Sequence, residues 1–337
     1  MTDMPAFLVT STVIMFAALI LGIGAAFLYF SRVNRRMIEY VANLTINQDA
    51  RQAAWLLDGR PLPGTVRPGL IGSVTTTRDR LPAVGLAIQS MLLQTVRPER
   101  IELWLSDELS SDDMPESLRR LERYGLRINF VPDVGPHTKL LYALREFPQN
   151  FITTFDDDFY YPPHSVETLL RTSDKVPGAI IGNWVRQLRF GVTGKVMKAK
   201  AGKLLTPKIM EREIEISAGV SNVGYDLFAY GTSGILYPPG CMDDRVFDID
   251  LFRTLCPTED DVWFKAMALL KGVPVATTSL GLTPRHHCLH GSQSVALRHK
   301  NHAGSGKTTR NQIRAVFEHF DLYGRMKELR TSCPPCP

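Results

Sequence analysis

Between residues 70 and 155, short apolar runs rich in β-branched residues alternate with helical patterns, and that alternation admits few architectures. Leu70–Thr76, Ile101–Ser106, Leu126–Val131 and Phe151–Phe155 read as strands; Leu81–Gln94, Pro115–Tyr124 and Lys139–Glu146 read as helices. A βαβαβαβ order predicts an α/β fold with a mainly parallel sheet and helices on both faces. In such a sheet ligands bind at the carboxyl ends of the strands, so chemistry is sought just after each one. Composition agrees: 44% hydrophobic and 22% charged residues exclude collagen-like and largely disordered chains, and five cysteines in 337 residues exclude a disulfide scaffold. A formal charge of +5 is too mild to imply nucleic acid, and none is expected as a partner. No internal repeat or long low-complexity segment is present.

Upstream, Phe7 to Phe30 carries no charge. As a helix it would reach roughly 36 Å, enough for a bilayer core of about 30 Å. The run is longer than a signal-peptide apolar region, no basic segment precedes it and no clear small-residue cleavage site follows, so a single-pass anchor is expected. Arg32, Arg35 and Arg36 follow it while only Asp3 precedes it, which places the remaining chain in the cytoplasm, as at a bacterial inner membrane. Met37, Tyr40, Val41 and Leu44 suggest a juxtamembrane helix, and the proline- and glycine-rich Gly59–Pro68 a stiff linker. The expected organisation is an anchor over 1–30, helix and linker over 31–68, an α/β domain over 69–300, and a C-terminal helix with a loose tail over 301–337.

Three strand ends carry polar groups: Thr75–Arg78, Ser106–Glu108 and Asp156–Asp158. Three consecutive carboxylates repel one another, and the arrangement is costly unless a cation neutralises it. Hard oxygen ligands suit Mg²⁺ or Mn²⁺, which bridge protein carboxylates to substrate phosphates. In extended chain Asp156 and Asp158 share a side, making them the inward pair; a solvated acidic turn is the alternative. A second acidic cluster, Glu259–Asp261, precedes the helical pattern Val262–Leu270. Thr258 is placed to cap that helix, and the helix end lowers a carboxylate pKa, keeping a proton acceptor ionised.

In order along the chain, Ser73–Arg78, Leu103–Asp107, Gly135–Lys139, Thr154–Asp158 with Tyr161–Pro163, Gly234–Gly240 and Pro257–Trp263 resemble the family 2-like glycosyltransferases of the Rossmann-like GT-A fold, over about residues 70–290. The resemblance implies a nucleotide-sugar donor, UDP-linked, a saccharide or lipid-linked acceptor, a divalent metal held by a DxD motif, and inversion at the transferred sugar. It implies Thr75, Thr77, Arg78 and Asp107 near the nucleoside and Lys139 facing the diphosphate. Asp156 and Asp158 would hold the metal, with Asp157 toward the donor, and Asp260 would be the base with Asp261 second. It further implies a histidine as an extra metal ligand, drawn from His286, His287 and His290, with His287 taken. The setting it suggests is polysaccharide biosynthesis.

Other features constrain less. Eight Lys or Arg residues against Glu211 alone lie between Arg186 and Arg212, a solvated loop or a contact for anionic lipid. Gly231–Gly234 and Pro238–Gly240 form either tight turns or an acceptor contact. Gly304–Thr309 fails the phosphate-loop motif because Asn301 stands where glycine is required and no apolar strand precedes it. Cys333–Cys336 reads as a loose tail. An inactive nucleotide-binding scaffold and a nucleotidyltransferase are the competing functional classes.

Overall fold

The computed structural model describes residues 16, 19–31, 33, 61–189, 210–213, 223–278, 280, 288, 289 and 309–332. An eight-stranded sheet runs β3-β2-β1-β4-β10-β5-β11-β8, where β1 is Thr65–Thr75, β2 Val96–Ser106, β3 Leu126–Val131, β4 Phe151–Thr154, β5 Ile180–Gly182, β8 Val223–Gly224, β10 Ile235–Tyr237 and β11 Val275–Thr277. The β1–β2, β2–β3, β1–β4 and β5–β11 pairs are parallel, while β10 runs antiparallel between β4 and β5 and β8 antiparallel to β11. A smaller sheet holds β6 (Val185–Arg189) between β7 (Met210–Glu213) and β9 (Leu227–Ala229).

Helices cover both faces, as the alternation requires. On one side α1 (Leu81–Leu92) and α4 (Ser165–Lys175) pack Val84, Ile88, Met91, Val166 and Leu169 onto Leu70, Val74, Leu103 and Leu236. On the other, α3 (Thr138–Glu146) and α6 (Asp260–Lys271) pack Leu140, Leu141, Trp263 and Met267 onto Ile152, Ile235 and Tyr237. Leu236 and its neighbours Ile235 and Tyr237 enter opposite cores because successive strand side chains alternate in direction. The remaining helices are α2 (Glu116–Arg119), α5 (Ile249–Leu255), α7 (Thr309–His319) and α8 (Leu322–Ser332).

Several boundaries differ from expectation. The first strand starts at Thr65, inside the expected linker, and pairs with Val96 onward. Pro68 and Gly69 fall where the register shifts, between Arg67 and Ile71. Proline cannot donate to a ladder and Gly69 sits at φ +76, so the pair makes an irregularity within the strand rather than a domain boundary. The helix read over 115–124 divides into α2 and a 3₁₀ turn, Arg120–Tyr124, stopped by Gly125 at φ +103. The C-terminal region read as one helix and a tail contains a second helix, α8. Residues 333–337, like the basic stretch 190–209, lie outside the described residues.

The anchor run extends beyond the described residues at its N-terminal side. Its described part, 16, 19–31 and 33, is helical, with Phe16, Leu21 and Phe27 exposed. Among the described residues, no helix is long and apolar enough to cross a membrane.

Candidate active site

The carboxyl ends of β1, β2 and β4, the starts of α3 and α6, and a 3₁₀ turn at Gly231–Ser233 converge. Antiparallel pairing makes the last of these possible: Ile235 opposes Thr154, so the turn before β10 lies at the end of β4.

At the centre is Lys139, with a side chain only 8% exposed. Its Nζ lies 2.8 Å from Asp156 Oδ1 and 3.0 Å from Asp260 Oδ2, joining two acidic clusters a hundred residues apart in sequence. Burial alone would lower the ammonium pKa, but Asp156, Asp260 and Asp261 outweigh it and hold the group charged. Its backbone is pinned as well. Ser73 Oγ donates to the Lys139 carbonyl and accepts from Trp104 Nε1 at 2.8 Å, tying α3 to β1 and β2. Two residues earlier, His137 stacks on Phe252 at 4.1 Å, and burial together with the Lys139 charge drives its pKa to about 3, so it adds no positive charge here.

Asp157 and Asp158 take a different cation. Arg80 Nη1 meets Asp157 Oδ1 at 2.9 Å and Nη2 meets Asp158 Oδ2 at 2.7 Å, while the Thr76 hydroxyl donates to the other Asp157 oxygen. Burial pushes Asp157 up to about 6 against the pull of Arg80, and raises Asp158 with help from the Asp156 charge. The Asp156 amide donates to Tyr161 Oη at 2.7 Å, and that hydroxyl donates to the Thr232 carbonyl at 2.9 Å, linking the acidic turn to Gly231–Ser233.

At the start of α6, Asp261 Oδ2 accepts from the Gly231 amide at 2.9 Å. Burial, then the Asp260 charge, raises Asp261 well above the ordinary carboxylate range. Asp260 is raised too, chiefly by burial and against the pull of Lys139. The expected lowering by the helix end is therefore reversed, because desolvation exceeds the influence of the first turn. Thr258 does not cap α6: the N-cap residue is Glu259, without a side-chain cap, and the Thr258 hydroxyl instead accepts from Gln312 Nε2 at 2.8 Å.

The other sequence candidates lie around this centre. Thr75 Oγ1 donates to the Trp104 carbonyl at 2.8 Å, and Thr77 is exposed at the start of the turn Arg78–Arg80. Arg78 points away, pairing with Asp113 at 2.7 Å, and Asp107 is exposed at the end of β2. His286, His287 and His290 are outside the described residues, but Cys288 bridges to Phe159 and the Leu289 amide donates to the Asp158 carbonyl at 2.8 Å. Among the described residues no group of three His, Cys, Asp or Glu side chains is arranged to hold a metal. Sequence reasoning missed Arg80, and it gave Thr76 and Tyr161, though inside the segments that carry the resemblance, no role of their own. Arg80 sits in the same polar run as Arg78, and only the 3₁₀ turn decides which guanidinium turns inward.

Residues 74–217 match the model of Glycosyl transferase family 2. The match covers less than half of the chain, and the mostly parallel mixed sheet with helices on both faces is a GT-A-like α/β fold. The match stops before α6, leaving Asp260 and Asp261 outside it. No curated protein matches the chain. Among solved structures, the mannosyltransferase PcManGT from Pyrobaculum calidifontis, in complex with GDP-Man and Mn²⁺, is 17% identical at a TM-score of 0.29, covering 43% of this chain. The chain spans 46% of that protein's length. S. aureus TarS 1-349 is 15% identical at TM-score 0.38, covering 62% of this chain and 58% of TarS. A 4-diphosphocytidyl-2C-methyl-D-erythritol synthase is 9% identical at TM-score 0.38, covering 69% of this chain and 96% of its own. None of these likenesses bears on substrate.

Proposed function

We propose that the protein moves a sugar from a UDP-linked donor to a saccharide or lipid-linked acceptor, with inversion, while anchored by its N-terminal apolar helix at a bacterial inner membrane with the catalytic domain in the cytoplasm. One observation carries the catalytic part: Lys139 gathers Asp156 and Asp260 around a single buried ammonium. Among the described residues, five carboxylates, Asp156, Asp157, Asp158, Asp260 and Asp261, face two cations, Arg80 and Lys139. The excess of hard oxygen donors suits Mn²⁺ or Mg²⁺. Asp156 and Asp158 would hold it, with His287, whose neighbour Cys288 pairs beside Asp158. The metal when bound supplies charge that neutralises the departing diphosphate.

Asp260 accepts the acceptor hydroxyl proton. Its raised pKa makes it a stronger base than a solvated carboxylate, and Lys139 keeps it oriented. Thr75, Thr77, Asp107 and Asp157 serve the donor, at the strand ends where nucleotides bind in such sheets, while Arg78, turned toward Asp113, does not. Incubating the full chain with a panel of nucleotide sugars and Mn²⁺ should reveal one donor that is hydrolysed slowly and raises the thermal midpoint. Asp158→Ala should lose metal-dependent donor binding, whereas Asp260→Ala should keep binding and lose transfer by about 10²- to 10⁴-fold. Normal turnover in Asp260→Ala, or release of pyrophosphate, would overturn the proposal.

A further inference from the structure

Beneath the start of α6, Lys265 lies one helical turn past Asp261 and is 5% exposed, and its Nζ has no hydrogen-bond partner. Asp261 is fixed at one oxygen only, since Oδ1 is also inaccessible and unpartnered. Both side chains line one cavity of about 20 Å³, walled otherwise by groups that include Tyr237, Ile235, Phe264 and Val275. That volume accommodates one water molecule, and a water is held where two or more polar groups line the space. The other acidic group near Lys265 is already engaged: Asp226 Oδ2 accepts from Gln187 Nε2 at 2.6 Å and from Arg330.

We propose that Lys265 is a positioning residue for Asp261, acting through one buried water that bridges Lys265 Nζ to Asp261 Oδ1. The bridge fixes the second Asp261 oxygen while the first holds the Gly231 amide, so the turn beside Lys139 and Asp260 keeps its place. Burial lowers the Lys265 pKa to about 7, opposed by Asp226, so the group is charged or neutral according to its neighbours. The groups that face it are Asp261 on its own helix and Tyr237 on β10, which share its cavity, and Asp226 before β9, whose charge acts on it; Asp260 and Lys139 act on Asp261 in turn.

The positioning role rests on the transfer reaction proposed above; the bridge does not, and the tests separate the two. In full chain labelled at lysine ¹³Cε, the Lys265 resonance should titrate in the wild type and shift down by about one pH unit in Asp261→Asn, because the bridged carboxylate charge is gone. An unchanged midpoint in Asp261→Asn overturns the bridge. Lys265→Met should lower kcat about tenfold or more with the donor KM held, and move the acid limb of the kcat profile to higher pH, while Lys265→Gln, which still donates to the water, recovers part of the loss. An unaltered kcat and pH profile in a folded Lys265→Met chain overturns the positioning role. Absence of transfer from every donor in the wild type removes that role together with the proposed reaction, and the lysine titration still decides the bridge.

Discussion

Two buried lysines on one site respond oppositely to removal. Lys139 is the counter-charge of Asp156 and Asp260, so Lys139→Met leaves buried carboxylates uncompensated. Breaking such a pair costs about 3–5 kcal/mol, and denaturant unfolding should show it. The loss should shrink as pH falls, because Asp260 and Asp261 have folded-state pKa values above their unfolded ones and shed their burden on protonation. A variant as unstable at pH 5 as at pH 8 would argue against that account. Lys265 differs: its pKa is about 7 against an ordinary 10.5, so between those values the folded state holds fewer protons than the unfolded chain. Its burden is therefore full below pH 7 and is relieved as pH rises toward 10.5. Lys265→Met should stabilise the fold most near pH 6, with the advantage fading by about pH 10, the unfolded lysine range. A stabilised protein that turns over more slowly is what a residue kept for positioning predicts.

Elements explain what the residues alone did not disclose. The turn Gly231–Ser233 reaches Lys139 only because residue 231 has no side chain: a Cβ there would lie 2.7 Å from Lys139 Nζ and 3.0 Å from Asp261 Oδ1. Gly231→Ala should therefore push the ammonium off the carboxylates and abolish transfer, with far-ultraviolet circular dichroism unchanged; full activity would show that the lysine can yield. Local patterns made the first four strands, α1, α3 and the start of α6 legible, since their apolar periodicity and flanking turn residues are contained within each segment. The acidic clusters were legible for the same reason. What joins them was hidden, because Lys139–Asp260 and Arg80–Asp158 depend on which strand ends meet in space. Pro68 and Gly69 looked like a linker because the partner strand that absorbs the irregularity is supplied from residue 96 onward. Thr258 looked like a cap because nothing near it in sequence announces Gln312.

At the scale of the molecule, α6 is buried nearly all round, from Asp260 through Leu269, and a helix enclosed on every side needs neighbours on every side. The sheet covers one flank, and α7 and α8 supply another, inserting Val316, Phe317, Leu322 and Met326 into the same core as Trp263 and Met267. Polar ties reinforce the contact at the end that carries the carboxylates: Thr309 Oγ1 donates to Glu259 Oε1 at 2.6 Å, and Gln312 Nε2 reaches Thr258. The C-terminal helices thus hold in place a helix whose first half carries buried charge, an arrangement that would otherwise favour opening. Phe317→Ala, at a side chain with no exposure, should cost about 3–5 kcal/mol, on the order of 10 °C in thermal midpoint. Because the loss falls on the brace and leaves the ends of β1, β2 and β4 untouched, donor affinity at 25 °C should hold while transfer declines at lower temperatures than in the wild type. A midpoint lowered by no more than a degree or two would show that α6 stands without α7.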